Sequence, residues 1–284
     1  MALGNFIRRN AVTTYFVLAF AIAWGLILLI VGVDGLQPGT PRPMQTGLLV
    51  FLAMLIGPSL TSIGLTALLD GKRGLGDLLA RWRQRPAPFQ WYAVGLLTTT
   101  ALLLIIGAVL SRVAPAFTPN LIASSDKLTA LTFALVIGVL AGFFEEMGWS
   151  GFATPRLLKQ HSVLTTGLIL GVLWGTWHLL ADYWGNAGAY GALYPLRGLL
   201  WVLTLTAYRI LMVWAYSKTT SLGLMQLMHA GFTGGQVLWE PPLAPVDYLL
   251  WYGSFSVALW LLVILLLRFQ LERALHAAIA TSNP

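Results

Sequence analysis

The 284-residue chain is 57% apolar and 12% aromatic, with only 10% of its residues charged and a mean hydropathy of +0.77. A soluble domain carries about 25% charged residues, so this chain lacks the polar supply to coat a water-facing surface, and a soluble enzyme is excluded. Seventeen Lys and Arg against ten Asp and Glu leave a net charge of +7, but the basic residues lie between apolar runs, which reads as membrane topology and not as a nucleic-acid surface.

Crossing a hydrocarbon core of about 30 Å takes about 20 apolar residues in a helix. Eight stretches meet that length: 11–33, 47–69, 91–110, 130–149, 163–181, 199–216, 221–239 and 249–267. The first follows Arg8 and Arg9 as a signal peptide would, but its 23 residues exceed the roughly 7–15 of a signal core, so a retained helix is expected. The connector 34–46 is rich in turn residues (Gln37-Pro38-Gly39-Thr40-Pro41-Arg42-Pro43). The longest connector, about 70–90, holds five basic residues with Pro86 and Pro88, and is expected on the inner lipid surface.

With the N-terminus inside, the inner segments hold Arg8, Arg9, Lys72, Arg73, Arg81, Arg83, Arg85, Arg156, Lys159, Lys218, Arg268 and Arg273. The outer segments hold Arg42, Arg112, Lys127 and Arg197; Arg209 falls within a span. Twelve against four predicts that both termini are cytoplasmic. The expected fold is therefore an all-α, polytopic membrane protein of about eight transmembrane helices, forming one domain over 1–284 without internal repeats. It would be a multi-pass integral membrane protein, in the plasma membrane if the source is prokaryotic. Its partner is the lipid bilayer, and no nucleic acid is expected.

Eight of the ten acids fall in loops, at span edges or in the tail; the other two, Glu145 and Glu146, are adjacent within the fourth span. His178 lies in the fifth and His229 in the seventh. A charged group at membrane depth costs about 2.5–3.5 kcal/mol on insertion scales and faces a cavity or a partner. At 1.5 Å per residue the three helices bring these side chains to one level, somewhat inside the midplane. Gln226, His229, Thr233 and Gln236 form a polar stripe at spacings of 3, 4 and 3. Gly167, Gly171 and Gly175, and likewise Gly138 and Gly142, mark faces for close helix contact. Adjacent glutamates point about 100° apart, so one addresses a shared centre and the other orients a partner. Arg209 either neutralises a glutamate or snorkels, and most of Trp149, Trp174, Trp177, Trp184 and Trp201 read as packing residues or interfacial anchors.

With no cysteine, metal ligands are restricted to carboxylate and imidazole. A carboxylate and two imidazoles in a wet intramembrane cavity suit hydrolysis: the carboxylate takes a proton from water, and histidine or metal polarises the carbonyl. A threonine hydroxyl and a neutral imidazole are candidate donors to the oxyanion.

The run Glu145-Glu146-Met147-Gly148-Trp149-Ser150-Gly151-Phe152, continuing to Pro155-Arg156-Leu157, resembles the first motif of the type II CAAX prenyl endopeptidase family, also called CPBP or ABI intramembrane proteases. Trp174-Gly175-Thr176-Trp177-His178 resembles the second motif. The segment Trp214-Ala215-Tyr216, Ser221-Leu222 and His229-Ala230-Gly231-Phe232-Thr233 resembles the last. The likeness covers about 130–235, and a catalytic core of about 130–239 is expected. The resemblance implies that Glu145 activates water with Glu146 supporting it. His178 and His229 would bind a metal, zinc with Glu145 as third ligand, or stabilise the oxyanion with Thr233 if the glutamate works without metal. The implied activity is cleavage of a membrane-anchored or membrane-embedded polypeptide near the inner face. Two positions depart from the family pattern: Ser150 stands where it has Arg, and Thr233 where it has Asn. The Ser150 departure keeps open a second reading, a catalytically reduced scaffold or immunity-type binding protein. A proton-coupled transporter is a third, against which the missing repeat counts.

Overall fold

The computed structural model describes residues 2–83 and 87–282. Eleven α-helices make up the fold among these residues: α1 (Ala2–Arg9), α2 (Ala11–Val31), α3 (Met44–Arg83), α4 (Phe89–Leu110), α5 (Asn120–Ala123), α6 (Lys127–Gly148), α7 (Thr154–Leu157), α8 (Val163–Tyr190), α9 (Tyr194–Thr219), α10 (Leu222–Trp239) and α11 (Pro245–Ser282). The described residues contain no strand. Six segments are long and apolar enough to cross a membrane, and one of them, Val163–Thr219, takes in both α8 and α9. Helix α10 is not among the six; its polar stripe dilutes its hydropathy.

The chain is an all-α, polytopic membrane protein, and its surface shows why. Leu29 is 82% exposed and Leu128 75%, whereas Glu146 and Arg209 are fully buried. Apolar side chains face outward because lipid solvates them, and polar groups turn inward because lipid offers them no hydrogen bond.

The long helices alternate in direction, so the start of α2 and the end of α11 lie at one end of the bundle, here the terminal end, with the opposite end the far end. Side-chain caps start the three helices that carry the intramembrane acids and imidazoles. Asp126 accepts from the Thr129 N–H at 3.0 Å before α6, Ser162 from Thr165 at 3.1 Å before α8, and Ser221 from Leu224 at 3.2 Å before α10. The connector expected over 70–90 is largely helical instead. Helix α3 runs to Arg83, bent where Gly71 takes a φ of +63°, a value glycine reaches without steric cost. Beyond the bend Leu78 packs inward, 5% exposed, which keeps the segment on the protein. Arg85 and Pro86 lie outside the described residues.

Glycine sets the tightest contacts. A Cβ on Gly167, Gly171 or Gly175 would meet the Cα of Ile210, Thr206 or Val202 at 2.7, 2.5 and 2.8 Å, so α8 lies directly on the α9 backbone. On α6, a Cβ at Gly138 would meet the Ala230 carbonyl oxygen at 2.6 Å, and one at Gly142 the Gln226 carbonyl oxygen at 2.3 Å. Small residues permit this approach where no hydrophobic force drives helices together. Gly142→Ala forces backbone apart and is expected to destabilise the detergent-solubilised protein by about 1–3 kcal/mol. Gly64→Ala, whose Cβ would meet nothing within 4 Å, serves as the control, with thermal unfolding as the readout.

Candidate active site

The fourth apolar span ends in an irregular turn. After Glu145 and Glu146 the α6 backbone continues into a π-helical turn, Trp149–Ala153, before α7. Such wide turns cluster at functional sites. Thr154 Oγ1 donates to the Trp149 carbonyl at 2.7 Å and Arg81 to the Gly151 carbonyl at 3.1 Å, which satisfies two of its freed acceptors. The turn leaves Trp149 and Ser150 folded back over the two glutamates.

The two carboxylates then diverge. Glu146 is fully buried and saturated: Arg209 of α9 donates Nη1 to Oε2 at 2.8 Å and Nη2 to Oε1 at 2.9 Å. Ser150 also donates to Oε2, and His229 Nδ1 reaches Oε1 at 2.7 Å. A bidentate guanidinium is the strongest partner a carboxylate has. Arg209 is held from above as well, its Cζ 4.1 Å from the centre of the Trp174 ring. Arg209 therefore neutralises a glutamate and does not snorkel. Ser150 is buried against Glu146, and the cation arrives from α9. Arg156 takes no part, being paired with Asp70 at 2.7 Å.

Glu145, 3% exposed, lies at the inner end of a cavity of about 450 Å³. Its Oε2 accepts from Trp174 Nε1 at 3.0 Å and Trp149 Nε1 at 3.4 Å. These two tryptophans, read from sequence mainly as packing residues, orient the carboxylate. Their spacing carried the signal: Trp149 lies four residues after Glu145 and Trp174 four before His178, one helical turn in each case. His178 and Thr233 line the same cavity. Of the polar stripe on α10, Gln226 donates to the Phe143 carbonyl at 3.1 Å and joins helices, while Thr233 and Gln236 face the cavity.

Both imidazoles have their tautomer set. His178 Nδ1 lies 2.9 Å from the Trp174 carbonyl oxygen, and a carbonyl only accepts, so Nδ1 carries the proton. His229 Nδ1 likewise donates to the Glu146 carboxylate. The lone pair of each neutral ring is then on Nε2. A neutral imidazole so oriented accepts at Nε2. His229 Nε2 sits 3.9 Å from Glu145 Oε2, a separation one water oxygen bridges.

Two Nε2 lone pairs and a carboxylate oxygen are suitable zinc donors in kind, with Glu146 as the outer carboxylate on His229. Their spacing does not suit: no three His, Asp or Glu side chains among the described residues converge closely enough to hold a metal ion. The residues present do not fit zinc as arranged, and no chemistry is derived through one.

The cavity extends away from the terminal end. Counted along α8 it runs from Trp174 to Gly185, about 16 Å at 1.5 Å per residue. At the far end it meets a second polar group that sequence reading had treated as scattered loop charges. Arg197 pairs with Asp182 at 2.7 Å, both nearly buried, and Glu240 lies in the loop after α10. Burial pushes the Glu240 carboxyl up from 4.5 to about 7; Arg197 opposes the shift and Asp182 adds to it.

Two outcomes test this geometry. Arg209→Met strands the Glu146 charge, with an expected loss of about 3–5 kcal/mol; adding Glu146→Gln removes the stranded charge and restores much of it, as thermal unfolding in detergent would show. For Glu240, the folded state holds its proton to higher pH than the unfolded chain. Between about pH 4.5 and 7 the folded state binds more protons, so this group's contribution weakens stability as pH rises through that window. Glu240→Gln should flatten that part of the stability–pH curve.

Comparison with known proteins meets this geometry at the same residues. A CAAX prenyl protease 2 of Methanococcus maripaludis is 32% identical over 56 residues, which are 20% of this chain and 21% of that protein. The likeness therefore spans about a fifth of the relative's length. Residues 127–234, the stretch that contains Glu145, Glu146, His178, Arg209, His229 and Thr233, match the family of Rce1-like type II CAAX prenyl endopeptidases.

Proposed function

We propose that this chain is an intramembrane endopeptidase that hydrolyses a peptide bond of a membrane-anchored or membrane-embedded polypeptide, with its catalytic core in residues 130–239 of a single membrane domain. The observation that carries the reading is the division of labour between adjacent glutamates. Glu146 is spent on Arg209, His229 and Ser150, while Glu145 lines the cavity and its Oε1 makes no hydrogen bond among the described residues.

In this mechanism a water held between Glu145 and the Nε2 lone pairs gives one proton to Glu145 as its oxygen attacks the peptide carbonyl carbon. Thr233 donates its hydroxyl to the developing oxyanion. When the tetrahedral intermediate collapses, the carbon–nitrogen bond breaks and Glu145 returns the proton to the leaving nitrogen. One water is consumed, and a carboxylic acid and an amine are released. Glu146 and Arg209 act as positioning residues, since they fix the His229 ring and touch no reacting atom. Ser150, which departs from the family pattern, does not deprive the site of a cation, because Arg209 supplies it.

Purified protein in detergent, offered membrane-anchored peptides that include prenylated CAAX sequences, tests the reading. Glu145→Gln should lower the cleavage rate by about 10²–10⁴-fold, the usual worth of a general base, and His229→Ala should also abolish cleavage. Chelator should leave the rate unchanged. Failure of the folded wild-type protein to cut any peptide would overturn the proposal, and loss of cleavage on chelation would replace its metal-free chemistry.

A further inference from the structure

Among the described residues, the cavity at the candidate site opens toward the far end. Toward the terminal end, Glu145 stands on a stack of buried rings. Tyr15 of α2 packs against Phe152 with centroids 5.2 Å apart and against Trp149 at 5.6 Å. Phe16 stacks on Trp149 at 5.8 Å. Of these four rings, three have no measurable exposure and Phe16 has 8%. Gly148 seals the join, since a Cβ there would lie 2.0 Å from the Tyr15 hydroxyl. A cavity of about 500 Å³ does lie at the terminal end, among Asp70, Arg73, Arg81 and Arg156, but it shares no lining residue with the Glu145 cavity.

Toward the far end the same level is hollow. The Glu145 cavity is bounded there by Gly47 near the start of α3, by the exposed Gly185, by Glu240 in the loop after α10, and by Tyr248 near the start of α11. The depth count from sequence placed Glu145 somewhat inside the midplane. It could not register that the shorter route is filled with aromatic rings and the longer one is empty.

The distribution of basic residues then assigns the sides. Among the described residues, eleven Lys and Arg lie in segments of the terminal end and four in those of the far end, and the richer side faces the cytoplasm. We propose that the Glu145 cavity is served from the non-cytoplasmic face, and that its occupant is a polypeptide exposed on, or anchored in, the leaflet of that face. The assignment of side rests on the cavity, the plug and the charge bias alone; the identification of the occupant as a substrate rests on the endopeptidase reading.

The chain has no cysteine, so each introduced thiol is unique. Gly185→Cys tests the far surface, where a Cβ meets nothing within 4 Å. Gln236→Cys tests the cavity wall, and the exposed Ser217→Cys the terminal end. Intact spheroplasts expressing each variant are treated with a membrane-impermeant charged maleimide, before and after permeabilisation. The expected result is labelling of Gly185→Cys and Gln236→Cys in intact spheroplasts, and of Ser217→Cys only after permeabilisation. Labelling of Ser217→Cys in intact spheroplasts, with Gly185→Cys protected, would overturn the proposal by reversing the orientation. Reaction at Gly185→Cys with none at Gln236→Cys in any preparation would overturn it by closing the mouth. Neither readout needs turnover, so absence of proteolysis would defeat the endopeptidase reading and leave the side of access decided. Cleavage of an impermeant peptide by inside-out but not right-side-out vesicles would defeat the access proposal while upholding the protease.

Discussion

The ion pair between Arg209 and Glu146 organises the interior of this protein. Neither group is accessible to water, and each alone would carry a desolvation penalty of several kcal/mol. Together they are compensated, and the remaining valence of the carboxylate is taken by Ser150 and His229. The guanidinium comes from α9, the carboxylate from α6, the imidazole from α10, and the indole that covers the guanidinium from α8. One carboxylate thereby fixes the mutual rotation of four helices. Because Glu146 accepts the Nδ1 proton of His229, it also decides that Nε2 presents a lone pair toward Glu145.

Such convergence requires backbones to come close, and glycine makes that possible. Had the α6 stripe carried even alanine, α10 would be displaced from Gly142, and the His229 ring would move away from Glu146. The π-helical turn after the glutamates acts in the same direction. It folds Trp149 back on Glu145 and Ser150 back on Glu146. Packing and chemistry are thus adjusted by the same few residues, and precision comes from helices and not from loops.

Most of the helical architecture was legible because the bilayer imposes a length and a hydropathy that any helix within it must meet. The exceptions have local causes: α3 continues past its apolar run because Leu78 finds protein to pack on, and α10 is too polar to register as a span although its position is internal. Glu145, Glu146, His178 and His229 stood out because ionisable groups at that depth are costly. Which glutamate Arg209 pairs with did not, since sequence holds no distance between residues 63 positions apart. Ser150 read as the loss of a cation for the same reason. The tautomers of the imidazoles depend on a carbonyl and a carboxylate brought in by folding, and the empty side of Glu145 depends on where rings from α2 come to rest. A linear depth count contains neither.

The aromatic stack beneath Glu145 has a consequence for the energetics of the membrane itself. Two carboxylates and two imidazoles placed across the middle of a bilayer are the makings of a proton wire, and a membrane that maintains a voltage cannot tolerate an uncontrolled one. Tyr15, Phe16, Trp149 and Phe152 fill the stretch where such a wire would have to continue. On the proposed access from one face, protons at Glu145 would equilibrate with a single compartment, and proton chemistry deep in the bilayer would not short-circuit the gradient across it.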